Sequence, residues 1–341
     1  MTRDDRPDFV GLHDLASERF GGAVLLANDE FFAPKDALLH PREPEWREGV
    51  YTERGKWMDG WETRRRREPG HDWCLVRLGV PGRVRGLVVD TAFFTANFPA
   101  ACAVEACDVP GVPDPAELAA REGAWRQLLP QSPLEGNAKN HFAVGDAERA
   151  THLRLRIFPD GGVARLRVHG DPMPDWARLA RRGEVDLAAA EHGGLALACS
   201  DMHYGNPQHM LLPGRSTHMG DGWETRRNRG DRREWAIVRL GHPGRARRVE
   251  LDTDHFKGNA PGACEIHACA VDGDERETFM RRSDLWRPLL ANTALRPHSR
   301  FVWEDELADV GVVTHVRLAI YPDGGVARLR VFGAPEIGGR A

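Results

Sequence analysis

The sequence predicts an all-β protein made of two tandem antiparallel jelly-roll β-sandwiches related by internal duplication. Three observations predict it. DGWETRR stands at Asp59–Arg65 and again at Asp221–Arg227, and PDGGVARLRV stands at Pro159–Val168 and again at Pro322–Val331. VRLG and DT recur between them in the same order, so the period is domain-sized, far above that of stacked solenoid repeats. Apolar residues alternate with polar ones around these motifs, as in half-buried strands. Pro/Gly turns separate the short strand-like runs, as in sandwiches and jelly rolls.

The elements follow in chain order. DLA then GG (Asp14–Ala16, Gly21–Gly22) opens the first copy and returns at Asp186–Ala188 and Gly193–Gly194; the first copy is about ten residues longer before its DGWETRR. A helix is expected at Asp114–Arg121, with Asp114 as N-cap, Pro115 at the first helical position and Gly123 ending it. Leu153, Leu155 and Ile157 oppose Arg154 and Arg156, and Leu166 and Val168 oppose Arg165 and Arg167, with PDGG as a tight turn between the two runs. The second copy repeats this with Val316, Leu318 and Ile320, and with Leu329 and Val331. The expected division is a first repeat over residues 1–170, a linker over 171–183 and a second repeat over 184–341. The linker carries a short helix with Asp175 as N-cap and Gly183 as C-cap.

Composition narrows the function. The chain has 341 residues, 47 basic against 51 acidic, for a net charge of −4. That balance argues against a dedicated nucleic-acid binder. All but four of the basic residues are Arg, which lowers the weight of any single Arg run. Arg64–Arg67 and Arg226–Arg233 are interleaved with Glu62, Glu68, Asp231 and Glu234, so they read as solvated or substrate-facing segments. No apolar run is long enough to span a bilayer, and MTRDDRPDF has no apolar signal segment. The expectation is a cytoplasmic protein without a membrane partner, whose six cysteines are reduced and mostly in the core.

Asp59-Gly60-x-x-Thr63-Arg64, then Trp73, Val76, Leu78 and Gly79, then Val84, Leu87, Val89 and Asp90, resembles the galactose-binding-like (discoidin) jelly roll. Longer segments resemble the allantoicase family over nearly the whole chain. They are DLASERFGG, ANDEFFAP, GKWMDGWETRRRR, GHDW and VDTAFFTANFP in the first copy, and DLAAAEHGG, CSDM, MGDGWETRR and LDTDHFKGN in the second. The resemblance implies hydrolysis of allantoate to ureidoglycolate and urea, a small-molecule substrate and a homo-oligomer. It also leaves room for a divalent cation such as manganese, although no His-x-His or HExxH spacing supports a preformed zinc site. The rival class is a tandem module that holds a ligand without chemistry, since fold alone does not decide function.

The candidate residues are those whose chemistry suits a small ureido acid. Arg64, Arg65, Arg226 and Arg227 can grip a carboxylate through charge-assisted contacts, and Glu62 and Glu224 can move protons. The competing reading makes Asp59-Gly60 a turn and the rest a strand end. His71 beside Asp72 suits acid–base work near neutral pH, or is a turn residue before a strand. Asp90 and Asn97, with Asp252, Lys257 and Asn259, stand where a strand runs into a loop, for substrate binding or for local turn bonds. The copies differ at ionisable positions: His71 has no counterpart, Phe93 aligns with His255, and Glu105 with His267. His255 and Lys257 make the second loop the more chemical one, with His255 as acid or base beside a pocket. His152 and His315 read as structural.

Overall fold

A computed structural model describes residues 7–145, 148–230, 233–273, 278–279 and 282–337. The chain divides into two compact units, Met1–Met173 and Pro174–Ala341.

The first unit carries β1 (His13–Asp14), β2 (Ala23–Ala27), β3 (Tyr51–Thr52), β4 (Gly55–Lys56), β5 (Trp61–Glu62), β6 (Asp72–Asp90), β7 (Ala101–Cys107), β8 (Arg126–Pro133), β9 (Lys139–Ala143), β10 (Arg149–Phe158), β11 (Gly162–Val163) and β12 (Arg165–Pro172). All pairings are antiparallel. The 19-residue β6 belongs to both layers of the sandwich. Its first half lies between β2 and β10, with Val76 opposite Leu153, and β7 and β8 extend that sheet. Its second half lies between β12 and β9, with Leu87 opposite Val168, and β1 adds an edge to β12. Leu153, Leu155 and Ile157 from one sheet and Leu87, Val89, Leu166 and Val168 from the other fill one fully buried core.

The second unit repeats the plan with β13 (Val185–Asp186), β14 (Leu195–Cys199), β15 (Trp223–Glu224), β16 (Glu234–Asp252), β17 (Ala263–Cys269), β18 (Arg287–Ala294), β19 (Arg300–Trp303), β20 (Val312–Tyr321), β21 (Gly325–Val326) and β22 (Arg328–Pro335). The 19-residue β16 plays the part of β6, with Val238 opposite Val316 and Val249 opposite Val331.

Each unit is therefore an all-β antiparallel jelly-roll sandwich. Helix is confined among the described residues to short pieces: α1 (Pro115–Ala120), α2 (Trp176–Ala180), the helical residues Thr278 and Phe279, and single 3₁₀ turns. Asp114 caps α1 by accepting the Ala116 and Glu117 N–H groups, and Asp175 caps α2 by accepting that of Arg178. The first helix ends at Arg121, before Gly123, where the chain tightens into a 3₁₀ turn over Glu122–Ala124.

The structure adds two things to the sequence reading. The PDGG turn links strands of different sheets: β10 pairs with β6 and β7, whereas β12 pairs with β6 and β1, so the turn carries the chain from one sheet to the other. Both runs show period two because both face the same core. Alternation reports the buried side of a strand and is silent about its neighbour. Second, Arg165 and Arg328 are buried, not solvated, because the segment between β2 and β5, and its copy between β14 and β15, folds over the outer face of the second sheet. The Arg165 guanidinium donates to Asp59 Oδ2 at 2.8 Å and to the Asp59 carbonyl at 3.0 Å, and Arg328 treats Asp221 in the same way.

The PDGG turn leaves no room for side chains. Gly161 and Gly324 have φ of +136° and +131°. A Cβ on Gly162 would lie 1.9 Å from the Phe94 ring, and one on Gly325 would lie 2.0 Å from that of Phe256. Both rings are fully buried. Gly162→Ala is expected to destabilise the first unit by about 1–3 kcal/mol through overpacking. Chemical denaturation checks this, and a change under about 0.5 kcal/mol would show that Phe94 has space to yield.

Candidate functional site

Four of the duplicated segments meet at one end of each sandwich. In the first unit β5 pairs with β11, bringing DGWETRR against PDGGV. Asn97, from the loop after β6, accepts the Gly162 N–H through its carbonyl at 2.8 Å and donates from Nδ2 to Glu62 Oε1 at 2.6 Å. Thr63 Oγ1 accepts the Gly161 N–H at 3.1 Å. Asp160 accepts the Arg66 N–H at 2.8 Å. Asp29 joins them: its carbonyl accepts from the Trp61 indole, and its carboxylate accepts the Arg64 N–H at 2.9 Å and Arg64 Nε at 2.7 Å.

The second unit rebuilds this network contact for contact. Asn259 accepts the Gly325 N–H at 2.9 Å and donates to Glu224 Oε1 at 2.5 Å. Thr225 Oγ1 accepts the Gly324 N–H, and Asp323 accepts the Asn228 N–H. Asp201 holds the Trp223 indole and Arg226 as Asp29 holds Trp61 and Arg64. Asp29 and Asp201 lie within the family-like segments ANDEFFAP and CSDM, but their role depends on pairing across the sheet edge and has no local sequence signature.

Electrostatics divide the cluster. Burial raises the Glu62 carboxyl above its ordinary 4.5, against the opposing pull of the Asn97 amide. Burial also works against Asp29, but the Arg64 N–H and guanidinium outweigh it and hold that carboxyl below its usual range. Glu62 is thus biased toward the proton while Asp29 stays charged. Such a divergence of neighbouring carboxyls is a mark of acid–base sites. Arg64, Arg65, Arg226 and Arg227 are exposed beside it.

The other candidates lie around this cluster. Asp90 and Asp252 are buried, raised by that burial, and accept the N–H groups of Ala92 and Asp254, the local turn bonds that competed with a binding role. Asp252 also lines a cavity of about 250 Å³. His71 lies 5.1 Å from the Phe158 ring, where β10 enters the PDGG turn. Burial first, then Arg156, Arg66 and Arg154, hold its imidazole below 6.5, so it is neutral at pH 7. Asp72 beside it accepts from Arg66 Nη1 at 2.6 Å and from Asn28 at 2.8 Å. In the second unit Arg233 stands in place of His71 and donates to Glu265 Oε1 at 2.8 Å, and Glu234 stands in place of Asp72 and accepts from Ser200 Oγ at 2.5 Å; Asp231 and Arg232 lie outside the described residues.

His255 and Phe93 share an unusual backbone, φ +68° and +69°, which fixes their correspondence. Phe93 packs on Trp46, 5.8 Å away, in the segment lengthened by about ten residues in the first copy. His255 instead places Nε2 3.0 Å from the Ser216 carbonyl, and its backbone N–H donates to Asp254 Oδ1 at 3.2 Å. Lys257 is exposed.

For a divalent cation the donors do not fit. Among the described residues no three His, Cys, Asp or Glu side chains converge. Asp201 is committed to Arg226, and His203 packs edge-on against Tyr204.

Fold and site together define a tandem jelly-roll protein with a duplicated Glu–Asn centre on the loop end of each sandwich. A family model described as the allantoicase repeat matches residues 13–173 and 185–336. The chain is 47% identical over 335 residues to a probable allantoicase of Burkholderia mallei, covering 98% of each chain, and 47% identical over 325 residues to one of Pseudomonas aeruginosa, covering 95% of this chain and 96% of that one. The crystal structure of allantoicase from Saccharomyces cerevisiae is similar with a TM-score of 0.81 at 31% identity, covering 98% of each chain. The chain belongs to the allantoicase family.

Proposed function

We propose that this protein hydrolyses allantoate to ureidoglycolate and urea, and that the Glu–Asn centres carry the reaction. Family membership carries the activity; the single structural observation behind the site is the recurrence of the Glu62–Asn97 contact as Glu224–Asn259. A ligand-holding module without chemistry is disfavoured by that membership.

Allantoate bears two ureido groups and a carboxylate on one carbon. Cleaving one C–N bond requires a held carboxylate, a proton for the departing urea nitrogen and a directed water. Arg64 and Arg65 hold the carboxylate. Glu62, its carboxyl raised by burial, gives a proton to the leaving nitrogen as the other ureido nitrogen's lone pair forms a C=N bond. The resulting Glu62 carboxylate takes a proton from water as its oxygen adds to that carbon. Asn97 fixes the Glu62 rotamer in both states, and neutral His71 flanks the site as an acceptor. No step is routed through a cation.

Purified full-length protein should release one urea per allantoate consumed, with ureidoglycolate as co-product; no urea at substrate saturation overturns the reading. Arg64→Ala or Arg65→Ala should remove a charge-assisted contact of about 1.5–3 kcal/mol, raising KM roughly 10- to 150-fold. A change under twofold in both, and in Arg226→Ala and Arg227→Ala, removes the carboxylate clamp. A homo-oligomer is part of the proposal, supported by the exposed Phe31, Trp46 and Tyr51 of the first unit, and sedimentation equilibrium tests it. No helix of the described residues is long and apolar enough to cross a membrane.

A further inference from the structure

The cavity of about 250 Å³ in the second unit lies under the segment that covers the outer face of its second sheet. Arg215, Arg300, Arg328 and Arg330 line it together with Glu250 and Asp252. Arg328 and Arg330 build the walls: Arg328 holds Asp221, and Arg330 donates to the Leu212 and Gly214 carbonyls. Arg215 and Arg300 stand at the mouth.

At the same place in the first unit stands an ion pair between Lys139 and Glu43. Lys139 lies opposite Asp90 in the sheet as Arg300 lies opposite Asp252. The Arg42 carbonyl accepts from Arg165 Nε as the Gly214 carbonyl accepts from Arg328 Nε, so Glu43 corresponds to Arg215. Glu43 and Lys139 close on each other at 2.8 and 3.0 Å. The second copy puts two cations at these positions. Like charges do not close: Arg215 turns to Asp254 at 2.6 Å and Arg300 to Glu250 at 2.5 Å, and the space between remains.

We infer that this cavity is a second ligand site, specific to the second unit, for a small carboxylic acid that also carries ureido or amide N–H groups. The two guanidinium groups at the mouth take the carboxylate. Glu250 and Asp252 stay in the lining as acceptors, which suits N–H donors and disfavours a bare anion. The volume is below the roughly 300–1,000 Å³ of drug-sized sites, so the ligand is metabolite-sized. The inference stands whether or not Glu62 transfers the proton.

The test is amide hydrogen exchange of the full-length protein with millimolar N-carbamoylglycine, an acid with a single ureido group. Peptides over residues 212–218 and 298–303 should slow by at least about threefold, while acetate and urea given separately leave them unchanged. Arg215→Glu restores the sign pattern of the first unit, which folds with a Glu there, and Asp254 keeps His298 at 2.8 Å. That variant should weaken binding at these peptides about tenfold or more, as should Arg300→Gln, which serves if the first fails to fold. Exchange unaffected in the wild type, or slowed equally in the variants or by acetate alone, overturns the site.

Discussion

Glu62→Gln is expected to lower kcat for urea release by roughly 10²–10⁴-fold, the usual loss on removing a proton-transfer group. Gln keeps an oxygen to accept the Asn97 Nδ2–H and nearly the same volume, so the 2.6 Å contact survives. Stability should move the other way. Because burial raises the Glu62 carboxyl above 4.5, its protonated form is favoured in the folded chain. The stabilisation it contributes is full below pH 4.5 and is lost as pH rises through the folded value. Gln does not ionise, so above that pH the variant should melt no lower than wild type. Glu224→Gln should cost less rate, since Glu224 is only partly buried. Urea release within threefold of wild type in a normally folded Glu62→Gln protein would take Glu62 out of the proton-transfer step.

Asp59→Ala should be the most damaging single change to folding. Asp59 and Arg165 have side chains 2% and 1% exposed, in contact at 2.8 Å, and Arg42 adds a bond to Asp59 at 2.7 Å. Removing the carboxylate leaves a buried guanidinium without its charge partner, which costs about 3–5 kcal/mol. For a unit of this size that corresponds to a melting shift of roughly 6–20 °C. Asp221→Ala should act likewise on the second unit, where Arg328 is 6% exposed. Arg64→Ala, which breaks the pair with Asp29 from a side chain 65% exposed, should shift stability by no more than about 1 kcal/mol. Calorimetry of the variants separates these cases; a shift under about 3 °C for Asp59→Ala would mean that water reaches Arg165.

This contrast shows what was legible. DGWETRR announced itself by recurring, but nothing in it says that Asp59 is a buried anchor, Glu62 a desolvated acid and Arg64 a surface group. Within six residues the motif supplies the core, the site and the rim, because β5 is short and each side chain meets a different layer. Asn97 was a candidate only as a loop residue. Its link to Glu62 needed the turn after Pro159 to bring β11 against β5. The cavity beside Asp252 follows from Arg215 and Arg300, which carry no motif and become neighbours only across the sheet.

By itself the sequence determined the duplication, the strand periodicity, the helix N-caps and the family, because each is written in residues close together or in segments that recur. Period two reports burial through local geometry, and a cap needs only the next three N–H groups. Only the tertiary structure decided which sheet each strand joins, that Arg165 and Arg328 are interior, that the Glu62 carboxyl is raised while that of Asp29 is lowered, and that an ion pair in one copy stands where the other has a cavity. Desolvation and charge pairing depend on every atom within several ångströms, and those atoms come from distant positions in the chain, as Arg165 and Arg42 show at a separation of 123 residues.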